Sequence, residues 1–321
     1  MAALITGYYV EKEYIKKLEN LDEEITKKSE DSFSWYHLNV LEAETKKWLR
    51  EKSGLSDIVI KELISEETRP RVLKDEEGIL LNLRGLNLNP ESDEEDMVSL
   101  HIWIEPDRII TTRSERVFTV DDIDKSYQRG NGPLTIADFL IRVLDGLIDK
   151  ISDYIYKIEE DIDEMEEEVL TAERAKLRSM ISEKRREVVI IRRYIVPQRE
   201  LMARLYKDKI GWLDEDDKEY IYEFSNRSIR QIEELDTIRD RAALVQEELN
   251  NKINDQMNRT MYILSIVGSI FLPLGFLTGL FGINIGGMPG TESNAAFAVF
   301  SLIMIVIIGI EYWLFKRNDW I

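Results

Sequence analysis

TMYILSIVGSIFLPLGFLTGLFGINIGGMPGTESN, running from Thr260 to Asn294, decides how this chain is built. No side chain from Thr260 to Leu280 carries a charge, and at ~1.5 Å per helical residue the run supplies the ~30 Å of a bilayer core. Ala295 to Phe315 (AAFAVFSLIMIVIIGIEYWLF) follows after a short glycine-rich turn and is apolar except for Glu311. Two such runs in succession predict a transmembrane hairpin. Lys252 and Arg259 precede it, Lys316 and Arg317 follow it, and the turn holds no Lys or Arg, so both termini are expected in the cytoplasm. Tyr262, Tyr312, Trp313 and Trp320 fall where an inner-face aromatic belt would lie.

Upstream, residues 213–259 continue the first span without Pro or Gly. Ile221, Phe224, Ile232, Leu235, Ala242, Val245, Leu249 and Ile253 recur at mixed three- and four-residue steps, the pattern of a long helix packed along one side. Unbroken to Leu280, such a helix would be about 100 Å long. Through 260–281 its faces differ. Gly279, Gly275, Leu272, Gly268, Ser265, Met261 and Asn258 share one face, which continues into Asp255, Asn251 and Glu247 or Glu248. Ile263, Ile266, Ile270, Leu274 and Leu277 occupy the other. Close helix packing explains the glycines alone. A water-filled pore explains the Asn and Asp positions as well, and offers a donor to the carbonyl that Pro273 frees. One hairpin encloses nothing, so a pore requires a ring of identical chains with the first span innermost.

The 62 acidic residues against 43 basic ones give a net charge of −19, which disfavours nucleic acid and favours cations as partners. The chain has no cysteine, which excludes disulfides and thiolate metal sites, and His37 and His101 read as structural. MAALITGYYVEKE has no basic n-region and too short an apolar run for a secretory signal. Residues 1–132 read as an α/β domain with strands over Leu4–Val10, Trp35–Val40, Arg71–Lys74, Ile79–Leu86, Met97–Ile104 and Arg108–Thr112, and an amphipathic helix over Leu41–Gly54. No phosphate-cradling loop or nucleophile motif is present, so this domain is expected to be a scaffold or sensor and the chain not an enzyme. Residues 133–212 predict an antiparallel helix pair, opened by a capping box at Thr135 and Asp138 and resuming near Thr171. The break between the two helices is expected to hold Glu159, Glu160, Asp161, Asp163, Glu164, Glu166, Glu167 and Glu168. A solvated helix end is the plain reading of that run; a cation-attracting tip is the sharper one.

At FGINIGGMPG, Phe281 to Gly290, the chain resembles the CorA superfamily of divalent-cation transporters, in which a Gly-Met-Asn tripeptide ends the first of two C-terminal spans and a Met-Pro pair follows. Here the tripeptide is Gly282, Ile283 and Asn284, and the pair is Met288 and Pro289. The likeness extends to Asn258, Met261, the Phe271–Leu274 step and the basic end at Lys316–Arg317. It implies an α+β membrane protein: an N-terminal α/β cytosolic domain, long helices forming a funnel, and two C-terminal transmembrane helices over 260–281 and 295–315. It also implies a homopentamer in a bacterial or archaeal inner membrane, with 282–294 periplasmic and the 316–321 tail cytosolic.

By the same resemblance Gly282, Ile283 and Asn284 form the selectivity filter, with Asn284 holding the transported ion through its water shell, and Asn258, Met261 and Leu272 form inner constrictions. Glu292 is a candidate attractor at the mouth. Isoleucine in the tripeptide and the glycine-rich loop look like the ZntB branch, which puts Zn2+ first, beside Ni2+, Co2+ and Cd2+, with Mg2+ as runner-up and protons as a candidate coupling ion. No permanently bound cofactor is expected. A membrane-anchored helical sensor or scaffold without transport is the alternative of another class, and it predicts no effect of Asn284→Ala.

Overall fold

Every residue of the strand Ile79–Gly85 is buried, so both faces of its sheet are covered. The computed structural model describes residues 3–12, 14–22, 32–66, 69–75, 77–169, 174–282 and 293–318. In chain order the strands and short helices are β1 (Leu4–Glu11), β2 (Tyr14–Lys17), β3 (Ser32–Asn39), α1 (Ala43–Glu51), α2 (Asp57–Leu63), β4 (Arg71–Lys74), β5 (Ile79–Gly85), β6 (Val98–Glu105), β7 (Arg108–Arg113) and α3 (Phe118–Gln128). The long helices are α4 (Ile136–Glu168), α5 (Arg174–Lys207), α6 (Glu215–Phe281) and α7 (Ala296–Arg317). Two compact units divide the chain, Met1–Gln246 and Glu247–Ile321.

The first unit is built on a seven-stranded sheet of order β2-β1-β3-β7-β6-β5-β4. Among the described strands only the pair β3/β7 is parallel; the other pairs are antiparallel, and β1/β2, β4/β5, β5/β6 and β6/β7 are consecutive in the chain. The alternation in HIWIEP sends Ile102 and Ile104 to one face, with Trp35, Phe139, Leu144 and Leu205, and Trp103 to the other, with Trp48, Leu49, Ile60 and Leu63. One layer is thus α1 and α2, and the opposite layer is α3, α4 and the sheet-facing ends of α5 and α6. Each fully buried aliphatic or aromatic side chain contributes about 1.5–3 kcal/mol. Thr135 caps α4 by accepting the Asp138 amide at 3.0 Å, and Ser56 caps α2.

Both histidines lie inside the sheet. His37 Nδ1 is 2.8 Å from Thr111 Oγ1, which also accepts the Trp35 indole N–H at 2.9 Å. His101 Nδ1 is 2.9 Å from Asn82 Oδ1. Burial, with Arg113 adding to it, pushes His37 down to about 3; burial and then Arg84 bring His101 to about 4.

Contacts among the long helices revise one expectation. The acids from Glu159 to Glu168 do not crowd a break; they fill the last turns of α4, whose apolar stripe continues through Ile158, Ile162 and Met165. Bases from the neighbouring helices pair with several of them. Lys184 on α5 bonds Asp161 at 2.9 Å and Glu187 at 3.0 Å, and Arg241 on α6 pairs with Asp163 and Glu166. The α4–α6 contact is held further by Arg227 to Asp145 and Asp149, and by Gln231, which donates to the Ile148 carbonyl at 2.9 Å and to Ser152 at 2.8 Å.

Candidate ion pathway

The second unit comprises the end of α6 and α7, both long and apolar enough to cross a membrane. Their half-buried side chains form matching stripes: Ile266, Ile270, Leu274 and Leu277 on α6, and Phe300, Met304, Ile307 and Glu311 on α7. Phe281 and Phe300 meet edge-on with ring centroids 5.2 Å apart. This is the pattern of two spans that shield one another along one edge. Ile263, expected on the same side, is 52% exposed.

The opposite face of α6 is open. Asn251, Asp255, Asn258, Met261, Ser265, Leu272, Gly275 and Gly279 are exposed, and Gly268 is half-buried. A Cβ built on Gly268, Gly275 or Gly279 meets no atom within 4 Å, so these glycines are not used to bring the two spans together. Ser265 donates its hydroxyl to the Met261 carbonyl at 2.9 Å, and Thr278 donates to the Leu274 carbonyl at 2.9 Å. With its proton committed to the backbone, the Ser265 oxygen is left as an acceptor, the polarity that a hydrated cation needs.

Gly282 closes α6. Its amide reaches the Thr278 carbonyl at 2.9 Å and the Gly279 carbonyl at 3.2 Å, and a Cβ there would lie 2.9 Å from the Thr278 oxygen. Ile283, Asn284 and Glu292 lie outside the described residues, as do Met288 and Pro289. Before the apolar run of α6, Lys252 and Glu248 pair at 3.2 Å, while Glu247 and Asp255 are exposed.

Of the acidic run, Asp161, Glu164 and Glu168 line a cavity of ≈ 240 Å³ between α4 and α5 that Lys184 enters. Among the described residues no group of His, Asp and Glu is disposed to hold a metal ion. Glu311 is a group that the sequence reading treats only as an interruption of apolar residues. Its Oε2 is shielded and has no partner among the described residues, a placement visible only once α7 is packed.

The sequence model of the family described as CorA-like Mg2+ transporter protein matches residues 30–317. The chain is 37% identical over 289 residues to the divalent cation transporter CmaX of Pseudomonas aeruginosa, covering 89% of this chain and 87% of the relative. It is 32% identical over 288 residues to the zinc transport protein ZntB of Yersinia enterocolitica, covering 89% and 88%. The solved structure of full-length CmaX matches with a TM-score of 0.86 at 34% identity, over 99% of this chain and 98% of the other. The CorA magnesium transporter of Methanocaldococcus jannaschii shares the fold at a TM-score of 0.85 and 20% identity, over 100% of both chains. With the two apolar C-terminal helices and the α/β domain already described, these matches make the chain a member of the CorA-like family of divalent-cation transporters.

Proposed function

We propose that the chain assembles as a homopentamer in the inner membrane and conducts divalent cations, zinc first, along the open face of α6. The observation that carries this reading is that a Cβ built on Gly268, Gly275 or Gly279 would meet nothing within 4 Å among the described residues. Five copies of that face around an axis would present rings of Asn258, Ser265 and backbone to water, with Met261 and Leu272 as constrictions. A ring of Asn284 amides at the outer mouth would hold the ion through its hydration shell, loosely enough to release it. Lys252, Arg259, Lys316 and Arg317 support cytoplasmic termini. Relatives named as zinc transport proteins support zinc as cargo.

Uptake into proteoliposomes tests the proposal. Zn2+ entry that disappears in Asn284→Ala, with the oligomer unchanged, is the expected result. Entry of Mg2+ without Zn2+ would favour the second reading, which the family description and the shared fold with a magnesium transporter motivate. Absence of flux from the parent protein and from Asn284→Ala alike would return the chain to the non-transporting scaffold, and undiminished flux in Asn284→Ala would remove Asn284 from the ion path. Protons are the candidate coupling ion, with the shielded carboxylate of Glu311 as their carrier; Glu311→Gln should then remove the pH dependence of uptake.

A further inference from the structure

The outward faces of α4 and α5 carry opposite charge in matching rows. Asp153, Glu160 and Glu167 are exposed on α4 at seven-residue spacing, which keeps them on one side of the helix. Arg178, Arg186 and Arg193 are exposed on α5 at spacings of eight and seven. Among the described residues none of these three arginines pairs with a carboxylate, although Lys184 and Arg192 on the same helix do. Asp153, Glu160 and Glu167 likewise have no basic partner among the described residues.

Contacts between the helices fix their relative heights. Lys184 meets Asp161, and Glu187 accepts the Tyr154 hydroxyl at 3.0 Å. On that antiparallel register Arg193, Arg186 and Arg178 stand about 3 to 5 Å in height from Asp153, Glu160 and Glu167, within reach of an arginine side chain. Two exposed side chains sit between the charges on the same scheme, Val189 and Tyr156, the latter with its hydroxyl donated to Glu160 of its own helix. Tyr156 on α4 is 62% exposed, Val189 on α5 is 55% exposed, and they differ by about 3 Å in height.

We propose that these rows form a seam between neighbouring copies of this chain, the α5 arginines of one copy meeting the α4 acids of the next, with Val189 against Tyr156. An acidic partner of another kind would satisfy α5 and leave α4 bare; a second copy satisfies both. Height differences of about 3 to 5 Å are taken up by the arginine side chains without an axial shift, so repetition of the contact is compatible with closure into a ring. Exposed ion pairs of this sort set register and orientation more than affinity. The seam rests on the ring assembly proposed above.

The chain contains no cysteine, which makes the test direct. Full-length Tyr156→Cys/Val189→Cys protein in detergent, oxidised with copper phenanthroline, is expected to give a ladder of cross-linked species up to the assembly size found by native mass measurement. Each single-cysteine variant should give none, because the two sides of the seam differ. Arg186→Glu in the double-cysteine background should abolish the ladder, and adding Glu160→Arg should restore it. An intact oligomer without a ladder, a ladder from a single-cysteine variant, or a ladder indifferent to Arg186→Glu would overturn the seam while leaving the ring standing. A monomer would overturn both.

Discussion

Lys184 reaches across the helix pair to Asp161, its Nζ 2.9 Å from the carboxylate on α4, and the same ammonium also satisfies Glu187, whose side chain is only 6% exposed. Lys184→Met would leave Glu187 shielded and uncompensated, and should cost about 2–3 kcal/mol. Chemical unfolding followed by circular dichroism checks this, with Lys184→Arg expected to lose less. Burial lowers the Lys184 pKa, but its hydrogen bonds to Asp161 and Glu187 outweigh that and hold it above 10.5. Its contribution is therefore complete below about pH 10.5 and fades only as pH rises through the folded value.

The two sheet histidines act in the opposite pH range. His37 titrates at about 3 and His101 at about 4 in the folded chain, against 6.5 when exposed. Below 6.5 the unfolded chain takes up protons that the folded chain refuses, so stability falls with pH. By pH 5 the loss should be roughly 2 kcal/mol for each histidine. Unfolding midpoints between pH 7 and 5 should become less steeply pH-dependent in His37→Gln and His101→Gln, whatever their absolute stability. A slope equal to that of the parent protein would contradict the assignment.

Thr111 joins β7 to β3 through Trp35 and His37. Replacing its hydroxyl in Thr111→Val strands the indole N–H of a fully buried tryptophan, a loss of about 1–3 kcal/mol. Near-ultraviolet circular dichroism during unfolding reports on Trp35 and Trp103, both in this sheet, and should show the earlier transition.

Gly282 and Gly275 should separate folding from conduction. Gly282→Ala crowds the Thr278 carbonyl, so the end of α6 must shift and uptake should be lost. Gly275→Ala would touch nothing among the described residues, so the unfolding temperature should hold while flux through the assembly falls. A Gly275→Ala protein that transports at the parental rate would place this face away from the ion path.

Much of the fold is legible in the sequence because its signals are local. The spans 260–281 and 295–315 need only apolar length, interrupted once by Glu311, and they correspond to the end of α6 and to α7. The strands from Arg71 to Arg113 show β-branched runs with turn residues between them. What escaped was set by tertiary packing. The sequence reading includes no element over β2, α2 or α3. The N-cap of α3 is Val117, with no side-chain cap bond, so no start signal exists to be read. The acidic run read as a break is held in α4 by Lys184 and Arg241, which are far away in sequence. The open side of α6 was visible as a stripe, but whether the glycines serve α7 or face away required coordinates. The tripeptide itself, read from resemblance, falls outside the described residues from Ile283 onward.

Since a side chain begun at Gly268, Gly275 or Gly279 would meet nothing among the described residues, mutations there escape the quality control that folding imposes on a packed interior. Such a wall is free to be resurfaced one position at a time without rebuilding the bundle around it. If that wall lines the ion path as proposed, one skeleton could diversify its cargo through substitutions at a handful of sites.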